Sequence, residues 1–368
     1  MNHHWYCLKI NFMRNISVFL FVVIMLSGCS AGTEEVDKMV LTEKVKTDGV
    51  RLWPDSVFKF KDSVFQWNAW VCDDRYAVCT IEGESFSAAL YDLASGERLH
   101  EFLYFGNGPK EVIYPSYSLV NDTLVVHDKS TGRIYQIPCC QFPDIDIIEA
   151  GEMEALSISI IPYKGEILAL NPYWFKNEKM GIDNKEQMLF LTDGKNVGYD
   201  NNKTLAINVV QGPLLYSEGK DRVAFVNTSE ACVSIFDGEL NKVAEVLGPV
   251  DYEVQYIQHK TTNELSFYQQ LATSYVSAAA DNDFIYLLYE GAVRDSYDDL
   301  VDWDFSNEDL YLFVLDWSGA FIGSFILDGI RSLYSVLSLS AEAGKIYVST
   351  LEYGSEEFVI KRFNLNQK

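Results

Sequence analysis

Six variants of one short unit recur along the chain, and that repetition constrains the fold more than any other feature. Its clearest copy is SYSLVNDTLVVHDKSTGRIYQI, from Ser116 to Ile137: an apolar run, an Asn-Asp turn, a second run, a Ser-Thr-Gly turn and a third run. Variants begin near residues 69, 117, 157, 214, 274 and 332, spaced by about 53 residues. In each, a first run meets a turn of Asp, Asn, Gly or Lys, a second apolar run follows, and a third ends near Asp or Gly. The runs are short, rich in Val, Ile, Leu, Tyr and Phe, and bounded by turn residues, which is the signature of strands joined by hairpins. A β-sandwich would supply short strands but no reason for six similar units. The expected fold class is therefore all-β, a six-bladed β-propeller, whose radial packing manages the sheet edges of an all-β chain. The spacing exceeds the roughly 40–50 residues of plain four-stranded blades, so some repeats carry insertions. One segment, NELSFYQQLA over residues 263–272, is spaced as a short helix.

The last repeat ends after three strands, because residues 361–368 finish the chain. The alternating segment SVFKFKD, Ser56 to Asp62, precedes the first repeat and is expected to supply the missing strand, so that the N-terminal strand closes the last blade. The competing reading is an isolated edge strand or a loop. Three regions follow: a leader over 1–28, a tether over 29–55 and a propeller over 56–368.

The leader reads as an address. ISVFLFVVIML, Ile16 to Leu26, is too short for the roughly 20 residues that span a bilayer, and it follows Lys9 and Arg14. It fits the apolar core of a secretory signal. Leu26-Ser27-Gly28-Cys29 follows and resembles the lipobox of bacterial lipoproteins, in which the chain is cut before the Cys and the Cys is acylated. Cys29 is thus the expected lipidation site, and Met13 makes a more usual start than Met1. The polar stretch from Ser30 to Asp48 is read as a flexible tether. The expected location is the cell envelope, anchored by lipid at the outer membrane and facing the periplasm or the surface.

Charge narrows the partners. The net charge of −24 becomes −26 once cleavage removes Lys9 and Arg14, since residues 1–28 hold no acid. Nucleic-acid binding rests on Lys and Arg neutralising phosphates, so that class is excluded, and contact with an anionic membrane surface is left to the anchor alone. Beyond Cys7 and Cys29 there are five thiols: Cys72, Cys79, Cys139, Cys140 and Cys232. An odd number is not a complete disulfide framework, and those beside apolar strands read as buried free thiols. No zinc-type CxxC pair is present, so no metal and no cofactor is expected.

Six repeats, a lipobox and Phe105-Gly106-Asn107-Gly108-Pro109-Lys110-Glu111 together resemble the TolB-like six-bladed propeller lipoproteins, where a G-x-G-P-G-E segment commonly follows the first blade. Lys110 stands at the second-to-last Gly of that pattern. The resemblance implies a fold and an envelope location, and it supplies no catalytic set.

The chemistry-bearing motifs are few. Gly106-x-Gly108-Pro109 lacks the Lys-Ser/Thr and the helix of a phosphate loop, and reads as a turn between blades, like Gly212-Pro213 and Gly248-Pro249. Residues 295–309 hold seven carboxylates, but an EF-hand register from Asp302 puts Asn307 where Gly is needed and Phe313 where Glu is needed. That stretch reads as a solvated insertion between the second and third strands of blade five. His100 and His127 alternate with apolar residues and read as strand positions. If the strand order is conventional, the links before each first strand and those between second and third strands share one face. Asn107, Lys110, Tyr173, Trp174, His259, Arg294, Trp303 and Arg331 then gather at one mouth of the central channel, and loops on a rigid scaffold are where function sits. The reading is a recognition or scaffolding module, its partner an envelope protein, a glycan or a peptide. The rival is a carbohydrate- or peptide-processing enzyme with carboxylates at the channel mouth.

Overall fold

The computed structural model describes residues 36–42, 49–62, 65–153, 157, 159–170, 189–191, 196–197, 212–228, 231–249, 256–258, 265–267, 271–294, 309–331, 336–352 and 357–366. The chain from Asp37 onward forms one compact unit. It opens with three short strands, β1 (Asp37–Val40), β2 (Val50–Leu52) and β3 (Ser56–Lys59). Antiparallel four-stranded sheets then follow in chain order. The first is β4 (Phe65–Cys72), β5 (Tyr76–Glu82), β6 (Phe86–Asp92) and β7 (Glu97–Tyr104). The second is β8 (Pro115–Val120), β9 (Thr123–Asp128), β10 (Arg133–Pro138) and β11 (Ile148–Glu152), with a 3₁₀ turn at Cys139–Gln141. The third is β12 (Ser159–Tyr163), β13 (Glu166–Leu170), β14 (Leu189–Leu191) and β15 (Asn196–Val197). The fourth is β16 (Leu214–Ser217), β17 (Arg222–Asn227), β18 (Cys232–Phe236) and β19 (Lys242–Leu247). A separate hairpin, β20 (Tyr256–Gln258) and β21 (Leu265–Phe267), leads to β22 (Leu271–Ala280), β23 (Phe284–Arg294), β24 (Asp309–Asp316) and β25 (Phe321–Arg331). The last three strands are β26 (Val336–Glu342), β27 (Lys345–Leu351) and β28 (Phe358–Asn364), and β3 completes their sheet. This is an all-β propeller.

The second strand of each sheet is buried on both faces, and its sequence shows why. In β5, Tyr76 and Val78 pack toward the second sheet while Ala77 and Cys79 pack toward the last. In β13, Ile167 faces the second sheet and Leu168 the fourth. In β23, Leu287 and Leu288 divide in the same way between the fourth and the last. Successive residues of a strand point to opposite faces, so a strand covered on both sides must be apolar without a break. The buried clusters fall between successive sheets all the way round, the last joining Ile360 of β28 to Ala77 and Tyr91 of the first sheet.

The first hairpins are equally local in origin. Asp73 and Asp74 have positive φ in the three-residue loop between Cys72 and Tyr76, and Asn121-Asp122, Lys164-Gly165 and Ala343-Gly344 are two-residue loops with both residues at positive φ. Paired positive φ in a two-residue loop is the type I′ turn, whose twist matches the flanking strands and which favours Asn, Asp and Gly.

The structure bears out the all-β propeller. Of the six blades expected, five carry described side chains in every strand, and the third repeat does so only in β12 and β13. Two further expectations are revised. The expected helix over 263–272 is β21 and the start of β22, with Leu265 and Phe267 alternating in a hairpin opposite Gln258 and Tyr256. Part of the expected tether is built into the fold. β1 adds in parallel to β19, pairing Asp37 with Ala244 and Val40 with Leu247, and β2 adds in parallel to β25, pairing Val50 with Phe325. These outer strands satisfy edges that would otherwise present unpaired amides and carbonyls. Cys72, Cys79 and Cys232 are buried free thiols as expected, and Cys139 lies against Cys72.

β3 pairs antiparallel with β28, Phe58 opposite Ile360 and Ser56 opposite Arg362. Arg362 fixes the seam, its Nε 2.7 Å from Asp55 Oδ1 and its Nη2 3.0 Å from Ser56 Oγ. A chain beginning at Phe65 lacks β1, β2 and β3 and is expected to lose its cooperative thermal transition or to self-associate through the freed edge of β28. Calorimetry and light scattering at several concentrations check this; an unchanged monomeric transition would show that the clasp is dispensable.

Candidate functional site

The inner strands of the sheets surround a cavity of about 910 Å³. Its width follows from small side chains. Ser277, Ala278, Ala279 and Ala280 of β22, Ser338 and Ser340 of β26, and Ser116 and Ser118 of β8 line it. Neighbouring inner strands splay apart and leave main-chain groups without a strand partner, and serine hydroxyls fill several of these gaps. The Ala69 amide donates to Ser338 Oγ at 3.0 Å, and that hydroxyl donates to the Ala69 carbonyl at 2.7 Å. The Val71 amide donates to Ser340 Oγ at 3.1 Å, and the Leu214 amide to Ser159 Oγ at 3.0 Å. Ser118 Oγ donates to the Ile160 carbonyl at 3.2 Å.

One aromatic pair stands in this wall of hydroxyls and small apolar side chains. The Trp70 and Tyr117 rings lie 5.8 Å apart at an interplanar angle of 32°. Tyr117 is fixed through its hydroxyl, 2.6 Å from Ser87 Oγ, which in turn donates to the Leu103 carbonyl at 2.8 Å. Burial holds the Tyr117 phenol well above its ordinary pKa, so it stays neutral. Carboxylates occur toward both ends: Glu82 at one, Asp122, Asp281 and Glu342 at the other. Burial raises the Glu342 pKa against the opposing hydrogen bond from the Asp74 amide, with Asp122, Asp73 and Asp74 adding to the rise. Among the described lining residues there is no Lys, Arg or His. The cavity therefore offers hydroxyls, one aromatic platform and negative potential.

The link from β7 to β8 borders the end marked by Glu82. Asn107 and Lys110 lie on it, exposed, and neither lines the cavity; Phe105, Ile113 and Tyr114 do. Phe105, Ile113 and Tyr114 are themselves 45%, 47% and 65% exposed. The link is rigid. Glu111 Oε2 accepts from the Gly108 amide at 2.6 Å, and Arg133 Nη1 donates to the Gly108 carbonyl at 3.0 Å. A Cβ at Gly106 would stand 2.1 Å from that Glu111 oxygen, so the Gly-rich segment is a turn wrapped on a carboxylate. Asp128, fully buried, accepts from the Ile113 and Tyr114 amides at 3.2 and 2.9 Å and from Thr131 Oγ1 at 2.7 Å. Burial alone would raise its pKa; the hydrogen bonds from Tyr114, Thr131, Ser130 and Ile113 outweigh that and hold it below the usual carboxylate value.

Of the other mouth residues expected from sequence, Arg294 ends β23 opposite Leu271 and Arg331 ends β25 opposite Asp309. Tyr173, Trp174, His259, Trp303 and Cys29 lie outside the described residues. Trp70, Tyr117 and the serines were not singled out by sequence reasoning. Their signal was the Ser-x-Ser alternation at the first strand of three repeats, SYS at 116–118, SIS at 157–159 and SLS at 338–340. Among the described residues no group of three or more His, Cys, Asp or Glu is placed to hold a metal ion.

No family model matches the chain, and no curated protein matches it in sequence. A member of the DUF4221 family from Bacteroides vulgatus superposes with a TM-score of 0.56 at 10% identity, over 86% of this chain and 98% of its own. A protein from Bacteroides fragilis, assigned as exported, superposes with a TM-score of 0.51 at 11% identity, over 89% of this chain and 99% of its own. These likenesses carry the fold alone. The TolB-like resemblance is supported as far as a propeller fold and no further.

Lys110 and His127 give measurable consequences. Lys110 has φ +59° at the position where the resembled pattern has Gly. A left-handed conformation costs an L-residue about 1–2 kcal/mol, more than the roughly 0.5–1 kcal/mol entropy cost of glycine. Lys110→Gly is expected to raise stability by about 0.5–1 kcal/mol in denaturant titration; a loss would mean that the Lys110 side chain holds the turn. His127, 1% exposed, has no hydrogen-bond partner at either ring nitrogen. Burial, then the Lys129 charge, pushes its pKa down to about 4 from the ordinary 6.5. Below 6.5 the unfolded chain takes up a proton that the native state refuses. Stability is thus fully present above 6.5 and declines as pH falls toward 4, by up to about 3 kcal/mol. His127→Leu is expected to remove that slope from a stability profile between pH 7 and 4, and an unchanged slope would assign acid sensitivity to other groups.

Proposed function

We propose that this protein is a binding module of the cell envelope that receives a neutral or cationic, hydroxyl-bearing ligand, such as a glycan segment, at the central channel of a six-bladed propeller. The composition of the channel wall carries this reading. Serine hydroxyls, the Trp70–Tyr117 platform and four carboxylates line a 910 Å³ cavity whose described wall has no cation, an arrangement that repels anions and suits sugar rings stacked on an aromatic face. The six-blade count rests on the buried clusters between every pair of successive sheets, including those that join β12–β13 to the sheets on either side. The envelope location draws support from the leader and Leu26-Ser27-Gly28-Cys29, which make Cys29 the proposed lipid attachment, and from the export assignment of the Bacteroides fragilis neighbour. Among the described residues no helix is long and apolar enough to cross a membrane.

The test is thermal stability of the chain from Ser30 against neutral, amine-bearing and anionic sugars. A ligand at 100 times its Kd stabilises the native state by about 2.7 kcal/mol, enough to read as a melting shift. Shifts are expected with neutral or amine-bearing sugars alone. Trp70→Ala is expected to weaken binding at least tenfold, and Ser277→Leu, which fills the channel, to abolish it. Binding that survives both substitutions would place the site elsewhere.

A further inference from the structure

Two thiols from different sheets meet inside the first inter-sheet cluster. Cys72 ends β4, Cys139 opens the 3₁₀ turn after β10, and their sulfurs are 2.9 Å apart. The distance is about 0.9 Å beyond a disulfide bond of roughly 2.05 Å, so closure needs little more than a side-chain adjustment. Cys139 is held from both sides: its amide donates to the Asp122 carbonyl at 2.8 Å, and its carbonyl accepts from the Phe142 amide at 3.0 Å. Both residues sit among Tyr76, Leu124, Ile137 and Phe142, at 1% and 3% exposure. Of the other described thiols, Cys79 is buried on the other face of β5, Cys140 points to solvent, and Cys232 Sγ lies 3.6 Å from Glu245 Oε1.

We propose that Cys72 and Cys139 form a disulfide in the mature protein, made by exchange with a disulfide-carrying thiol oxidoreductase of an oxidising compartment. It rests on the envelope reading above, since disulfides persist in such compartments. In the exchange, one cysteine thiolate attacks the carrier disulfide and releases one carrier thiolate. The second cysteine thiolate then attacks the mixed disulfide and releases the other. Two S–H bonds break and one S–S bond forms, while the carrier disulfide is reduced to a dithiol that takes up both protons.

The burial of the pair dictates when this happens. The hydrogen bond from one thiol to the other, together with burial, lifts the Cys72 thiol well above its usual pKa. The attacking species is the thiolate, so the folded dithiol is inert and out of a carrier's reach. The bond therefore forms before the first two sheets finish packing, and afterwards it is shielded from reductants. It closes a loop of 67 residues, linking the inner strand of the first sheet to the turn between the third and fourth strands of the second.

The experiment uses the full-length chain expressed with its own leader, recovered from the envelope, denatured and alkylated without reductant. Mass spectrometry is expected to find the Cys72 and Cys139 peptides joined and both residues unlabelled, with Cys79, Cys140 and Cys232 alkylated. Native protein should keep the bond in dithiothreitol and lose it when the reductant is added in denaturant. Reduction, or Cys72→Ala with Cys139→Ala, is expected to lower the melting temperature by about 5 °C or more, and Cys140→Ser to leave it unchanged. Both thiols found alkylated in the envelope sample, or either one joined to Cys140, would overturn the proposal. A parallel refolding of the same chain in a glutathione redox buffer separates the two ways of failing. A bond formed there but absent from the envelope sample sinks the location, and no bond in either sinks the pairing itself.

Discussion

A ring of sheets hydrogen-bonds within each sheet and packs apolar faces between sheets, so its two chain ends leave one seam that only packing would hold. The pairing of β3 with β28 converts that seam into a continuous sheet. Everything inward depends on it, because the channel walls are inner strands whose positions are set by the apolar clusters outside them. The segment before β3 reinforces the closure. β1 adds to β19 and β2 to β25, so the chain crosses the outer edges of the fourth and fifth sheets before it reaches the last. Leu41 and Leu52, at 3% and 8% exposure, bury their side chains as it passes, and Arg51 meets Asp328 at 2.7 Å. The polar character of this stretch had suggested a free tether. It belongs to strands added at a sheet's outer edge, where most side chains face water and the backbone supplies the attachment.

Between the clusters and the channel the chemistry changes over a single strand. Second strands are apolar on both faces; inner strands put small or polar side chains toward the centre. Small residues leave room where the strands converge, as Ser277 to Ala280 and the pairs Ser116/Ser118 and Ser338/Ser340 do beside Trp70 and Tyr117. The serines do a second task by bonding the backbone of the neighbouring inner strand, as Ser338 does at Ala69. Substituting them with alanine would keep the width of the channel and leave amides and carbonyls without partners, at about 1–3 kcal/mol for each buried group.

The architecture was legible because its causes are local. Positive-φ turn pairs such as Asn121-Asp122 are written as Asn, Asp and Gly, and a doubly buried strand such as FIYLLY is written as an unbroken apolar run. The closing role of Ser56 to Lys59 could be read from the missing fourth strand of the last repeat. The parallel addition of β1 and β2 could not, because strands of four and three residues carry almost no periodicity. Nor could the meeting of Cys72 with Cys139, a contact between residues 67 apart. Sequence reasoning placed the site on links between strands and favoured long charged and aromatic residues on loops. The cavity is instead lined by Trp70 and Tyr117, on strands read as structural.

An excess of acid over base, 53 residues against 29, requires that many carboxylates be stabilised without a cation. The turns show how. Asp237 accepts from the Glu239 and Asn241 amides at 2.9 Å, Asp316 from the Ser318 and Ala320 amides at 2.8 and 3.0 Å, and Asp128 from the link that carries Tyr114. In each, burial would raise the pKa and hydrogen bonds from the turn hold it below the ordinary value. Such bonds order the loops but leave the negative charge uncancelled. The same economy reaches the channel, where Glu342 is met by the Asp74 amide and not by a side-chain cation. A protein that fixes its turns in this way keeps a negative potential at its centre. The proposed selectivity against anions would then follow from how the blades are capped as much as from the residues that face the cavity.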